Sequence, residues 1–148
     1  MRRRSELCAF KFEDICQAPN GKPVIRLKFS KTDQYGTGKL LPINDDLLEL
    51  IGKWSKVVDA KGYILRSVNR HGHIGGSLNP ASISTILKAL QTGLEDAATK
   101  KPLSGHSFRV GAALDLLEQG EPLERIMLRG GWQTDSTAMK YLRNWHLF

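Results

Sequence analysis

Cysteine is scarce: Cys8 and Cys16 are the two in 148 residues. That is too few for a disulfide framework, and no signal peptide opens the chain, so both are expected to be reduced thiols of a cytoplasmic protein. No apolar run approaches the roughly 18 residues that a membrane span requires, so no membrane partner is expected. There is no internal repeat and no low-complexity tract. Phosphate-binding and dinucleotide-binding glycine loops are both missing. Gly105-His106-Ser107-Phe108-Arg109 superficially resembles a nucleophile elbow but lacks the second glycine that G-x-S-x-G demands. His71 and His73 stand two apart, yet no cysteine or carboxylate cluster joins them, so neither a metal nor a zinc deaminase site is expected. Acid is also in short supply. Against 22 Lys and Arg there are 15 Asp and Glu, for a net charge of +7 and a pI near 9.6.

What is present fits one domain with a real core, since 41% of the residues are hydrophobic. The positive balance points to a polyanion as partner. Helix opens the chain, with Leu7 and Phe10 on its inner face. Strands are expected from Phe12 to Cys16, from Val24 to Phe29 and from Lys39 to Ile43. Asn20-Gly21 is a hairpin signal between the first two. Asn44 or Asp45 caps a helix whose stripe of Leu47, Leu48, Leu50, Ile51 and Trp54 reads as core. Gly62–Leu65 reads as a brief buried segment and Ser67–Gly76 as a loop that faces a nucleic acid. Asn79-Pro80 opens a further helix, buried along Ile83, Ile86, Leu87, Leu90 and Leu94.

The last third carries the chemistry. Ser104 and Gly105 stand at an N-cap position, Val110, Ala113, Leu114 and Leu117 give a helical period, and Gly120 ends it. His106 and Arg109, three apart, share a face near the positive end of that helix, which is a place for a phosphate. Pro122–Leu128 is a short helix with Leu123, Ile126 and Met127 inward, and Arg129-Gly130-Gly131 is read as a turn. Trp132 follows. Thr134 or Asp135 caps a last helix over Ser136–Leu142, with Tyr141 nine residues after Trp132.

The run H-S-F-R, then G-G-W, then a tyrosine nine residues on, resembles the catalytic domain of the tyrosine recombinase (phage integrase) family. The likeness extends from Arg3 to about Trp145. It implies an α+β fold, mainly α: a helical catalytic core with a small three-stranded antiparallel sheet at one edge. The family's first catalytic arginine lies in a run like Arg3-Arg4-Ser5-Glu6-Leu7, which puts that role on Arg3, with Glu6 steadying the site by hydrogen bonding. Arg2 and Arg4 are then ordinary solvated charges. The family's catalytic lysine lies on the β-hairpin, in a run like Phe29-Ser30-Lys31-Thr32-Asp33, and passes to Lys31, with Lys28 and Lys39 as alternatives. The resemblance further implies double-stranded DNA as partner, no cofactor, no metal and no small-molecule substrate. It implies a bacterial or phage-derived protein, an upstream helical DNA-binding domain outside residues 1–148, and self-association on DNA at full length. The isolated domain is expected to be inactive or weak.

The chemistry is what a phosphodiester requires. Two guanidiniums, Arg3 and Arg109, can fork its oxygens as charge gathers. Tyr141 is the expected nucleophile, and a tyrosine hydroxyl, with an ordinary pKa of about 10, must shed a proton during attack. His106 is the candidate acceptor and Lys31 the donor to the leaving oxygen. Trp132 can give its indole N–H to a phosphate oxygen. Two other readings stay open: a type IB topoisomerase-like relaxing enzyme, and a basic DNA-binding module without activity.

Overall fold

The computed structural model of the chain describes residues 2–28, 38–93 and 102–142. These form two compact units: Ser5–Asn79 in one, and Met1–Arg4 with Pro80–Phe148 in the other. The secondary structure is α+β and mainly α, as expected.

In the unit Ser5–Asn79, three strands make the expected antiparallel sheet. They are β1 (Ile15–Gln17), β2 (Pro23–Leu27) and β3 (Lys39–Pro42), in that order across the sheet. Asn20-Gly21 does turn the first hairpin: Gly21, at φ +77°, donates its N–H to Ala18 O at 2.8 Å, a backbone region that favours glycine. Ile25 pairs with Ile15 on one side and Leu41 on the other. It joins Phe10, Leu27, Ile43 and Ile64 in the core of this unit. The helix α1 (Arg4–Ala9) contributes Leu7 to that core.

Four local expectations change in this unit. The first strand starts later than Phe12, because Phe12–Asp14 is a 3₁₀ turn. There the Asp14 carboxylate accepts the Lys11 backbone N–H at 2.9 Å, a local bond that competes with extended backbone. Ser67–Gly76 is no plain loop: β4 (Arg66–Val68) and β5 (Ile74–Ser77) pair as a hairpin. Asn69 Oδ1 shapes its tip by accepting the N–H groups of His71 and His73 at 2.9 and 3.0 Å. In Gly62–Leu65 only Ile64 is buried, while Tyr63 and Leu65 are exposed. Finally, α2 (Asp45–Val57), capped by Asn44 through the Leu47 N–H at 3.0 Å, buries none of its residues fully. Its Leu47 and Leu50 line an open apolar groove of about 450 Å³ with Phe10, Ile64 and Val68.

The other unit is helical. It contains α3 (Pro80–Thr92), α4 (Gly105–Glu118), α5 (Leu123–Gly130) and α6 (Asp135–Leu142). Helix α4 packs on α3, α5 and α6. Its core is Ala113, Ile126, Trp132, Ala138 and Leu142, with Leu114, Leu117, Leu123 and Met127 packed around them. The inward row of α3 runs through Ile83, Leu87 and Gln91, whereas Ile86 and Leu90 are exposed. Gln91 ends the inward row. It is buried, and its side-chain oxygen accepts the Leu103 N–H at 2.6 Å, tying the end of α3 to the approach to α4. Among the described residues no helix is long and apolar enough to cross a membrane.

Candidate active site

Helix α4 begins as its sequence indicates. Ser104 and Ser107 cap each other reciprocally, with Ser107 N–H to Ser104 Oγ at 3.3 Å and Ser104 N–H to Ser107 Oγ at 3.2 Å. That arrangement satisfies orphan N–H groups of the first turn. Gly105 is needed there for space. The aliphatic stem of Arg4 lies across it, and Arg4 reaches on to donate to Ser84 Oγ. Two residues after the cap comes His106, exposed to solvent, and one helical turn later Arg109, which is 6% exposed.

Arg109 meets Trp132 directly. Its guanidinium carbon stands 4.8 Å from the centroid of the indole ring, within cation–π range. Trp132, 8% exposed, arrives there through the end of α5. Gly131 adopts φ +66° as the helix C-cap, Gly131 N–H reaches Leu128 O, and Trp132 N–H reaches Met127 O at 3.1 Å. This is a Schellman ending, which places a glycine in the left-handed region. The three-residue turn Arg129-Gly130-Gly131 is therefore corrected: Arg129 and Gly130 belong to α5, and Gly131 alone turns the chain. Gly130 is required for another reason, since a Cβ there would run into the Trp132 ring.

Thr134 caps α6, accepting the Thr137 N–H at 3.4 Å. Helix α6 carries Tyr141, between the buried Ala138 and Leu142 in sequence. Arg3, half-buried, precedes α1 and belongs to the same unit as α4–α6. Glu6 is buried in α1, in the Ser5–Asn79 unit. Lys31 lies outside the described residues.

The two alternatives to Lys31 are both described. Lys39 opens β3, half-buried. Lys28 Nζ sits 2.8 Å from Asp14 Oδ1 and 3.0 Å from Glu13 Oε1. Its hydrogen bonds to Asp14 first, and to Glu13 second, raise its pKa above the ordinary lysine value. A lysine held by two carboxylates is a poor proton donor to a third oxygen.

Arg2 is the residue that sequence reasoning missed. It was expected to be solvated, but it is 8% exposed and donates from Nη1 to Arg129 O at 3.1 Å. A terminal arginine triplet looks like a solvated tag in sequence, because nothing in it shows that a helix end lies within reach. His71 and His73 sit exposed at the tip of the β4–β5 hairpin, where His71 Nε2 accepts from Arg70 Nε at 3.0 Å.

The fold is one shared with solved recombinases. The crystal structure of XerA recombinase matches 99% of this chain and 52% of its own at a TM-score of 0.69 and 16% identity. XerH site-specific recombinase, solved bound to its palindromic difH substrate in a post-cleavage complex, matches 96% of this chain and 38% of its own at a TM-score of 0.68 and 17% identity. In sequence, the chain is 28% identical over 155 residues to recombinase Cre of Escherichia phage P1, covering 96% of this chain and 45% of Cre. It is 25% identical over 140 residues to the tyrosine recombinase of Thermosipho africanus (strain TCF52B), covering 95% of this chain and 44% of that protein. The chain therefore spans about half the length of these relatives. With residues 1–146 matching its family model, the chain belongs to the phage integrase family.

Proposed function

We infer that this chain is the catalytic domain of a site-specific DNA recombinase, which cuts and rejoins strands through a 3′-phosphotyrosyl intermediate. The observation that carries the reading is the buried Arg109 guanidinium against the Trp132 ring, one turn from the start of α4 where His106 is exposed. Family membership supplies the class of reaction. A buried guanidinium held by an indole face loses little freedom when it forks a phosphate, and the helix N-terminus beside it favours an anion.

On this reading both units form one catalytic domain. Tyr141 Oη attacks phosphorus, forming the O–P bond as the bond to the 5′ oxygen breaks. Its proton passes to His106, and Lys31 gives a proton to the leaving 5′ oxygen. Arg3 and Arg109 meet the charge that gathers on the non-bridging oxygens, Trp132 adds an indole N–H, and Glu6 steadies the site. The bond energy stays in the phosphotyrosine, so the 5′ hydroxyl of a second strand reverses the step without cofactor or metal. Double-stranded DNA is the substrate, copies of the full-length protein assemble on it, and the isolated domain is inactive or weak.

The test is a suicide duplex, nicked near the cleavage site so that the freed short strand diffuses away and slow cleavage accumulates. Using a pool of randomised sequence removes the need to know the site. A protein–DNA adduct that survives denaturing electrophoresis is expected at low salt. Its absence at high protein concentration, with an upstream DNA-binding domain restored and duplex binding intact, would contradict the reading and leave a DNA-binding module.

A further inference from the structure

The buried Arg2 serves the end of α5 in a particular way. The last four carbonyls of a helix have no partner within it. In α5, Met127 O accepts the Trp132 N–H and Leu128 O accepts the Gly131 N–H. The next carbonyl, Arg129 O, accepts from Arg2 Nη1 at 3.1 Å. A cation there also meets the negative end of the α5 dipole. The guanidinium lies close against the turn. A Cβ added at Gly131 would stand 3.1 Å from Nη1 and 3.4 Å from Nη2, so the glycine leaves room for it as well as adopting φ +66°.

The neighbours of this contact give it meaning. One residue beyond Gly131 is Trp132, on the Arg109 guanidinium. One residue beyond Arg2 is Arg3. A single side chain thus fastens the segment that bears Arg3 to the turn that bears Trp132, within one unit. The geometry points to Arg2 as a positioning residue: it clasps the chain at Arg3 to the end of α5 and so sets Arg3, Trp132 and Arg109 in register. It touches no substrate, and the inference rests on the roles given above to those three residues. A cap that only added stability would lower the melting temperature and leave the indole environment and the cleavage rate of folded protein unchanged.

The experiment reads both. The chain has three tryptophans, so its ¹⁵N-labelled form gives a separate indole N–H cross-peak for each, with that of Trp132 assigned by Trp132→Phe. Spectra are taken at about 10 °C, near the usual maximum of stability, on wild type, Arg2→Gln and Arg2→Lys. Arg2→Gln should move or broaden the Trp132 peak and leave the Trp54 peak in place. It should slow adduct formation about tenfold, the usual scale for losing a partner that orients a site residue. Duplex affinity, set by many phosphate contacts, should stay within about twofold. Arg2→Lys keeps the charge and a donor, and should recover part of both the peak position and the rate. If both variants are folded and leave the Trp132 peak and the rate at wild-type values, the inference is overturned. If the peak moves but wild type itself forms no adduct, the clasp stands and the recombinase reading falls.

Discussion

Replacing Arg109 with lysine separates its hold on the fold from its proposed hold on the reacting phosphate. The side chain is 6% exposed, with its guanidinium 4.8 Å from the Trp132 ring centroid. Lysine keeps the charge, so no carboxylate is stranded. It loses the flat stacking surface and brings a more strongly hydrated cation into the same buried place. A cation–π contact of this kind contributes about 1 kcal/mol. For a chain of this size that lowers the melting temperature by roughly 2–4 °C. The loss in the transition state should be larger. An ammonium meets two phosphate oxygens less well than a planar guanidinium fork does, and removing one preorganised donor at a developing charge costs about 10²-fold or more in rate. At 1.36 kcal/mol per tenfold that is about 2.7 kcal/mol, well above the folding term. The assay is single-turnover adduct formation on the suicide duplex, beside a thermal melt. Cleavage within about threefold of wild type, with the melt unchanged, would remove Arg109 from the reaction and leave its stacking as packing alone.

Two further outcomes follow from the structure. Ile126 is fully buried between α4, α6 and Trp132, so Ile126→Ala should cost about 2–5 kcal/mol, read as a lower urea midpoint with an unchanged slope; a loss below about 1 kcal/mol would contradict the packing of that unit. Lys28 has its pKa raised, by Asp14 first and Glu13 second. Since the folded value lies above the unfolded one, its stabilisation is fully present below the ordinary lysine value of 10.5 and fades as pH rises through the folded value. Stability of wild type should therefore fall more steeply than that of Lys28→Met above about pH 10.5, and parallel curves in that range would refute the ion pair.

The sequence made α4 legible because its signals agree: a serine pair at the cap, an apolar period, and Gly120 at the end. Asn20-Gly21 was legible for the same reason. Elsewhere the local signals are weak or local bonding intervenes. β5 contains Gly75-Gly76, which carry no strand preference, and only pairing with β4 makes that segment extended. The 3₁₀ turn at Phe12–Asp14 is closed by the Asp14 N–H on Lys11 O and by the Asp14 carboxylate on the Lys11 N–H, local bonds that leave no periodic pattern. The apolar stripe of α2 has the right period, but period alone cannot say whether anything covers it. In the site, the i, i+3 spacing of His106 and Arg109 placed one exposed and one buried residue on adjacent turns. The meeting of Arg109 with Trp132 has no local signal, since 23 positions of sequence separate them. The family likeness assigns both residues to one phosphate but says nothing of a contact between them. Arg2 was invisible for a related reason, because its partner is a backbone carbonyl 127 positions away, and carbonyls leave no mark in a sequence.

In the proposed reaction Tyr141 becomes covalently joined to DNA. Phenylalanine at that position keeps the ring and lacks the attacking oxygen. The decisive measurement is adduct formation by wild type and Tyr141→Phe on the same suicide duplex, followed by protease digestion and mass spectrometry of the wild-type adduct. A nucleotide is expected on the peptide that contains Tyr141, and no adduct from Tyr141→Phe despite an unchanged melt and unchanged duplex binding. An adduct formed by Tyr141→Phe, or a modified peptide that holds Tyr35 or Tyr63 instead, would contradict it.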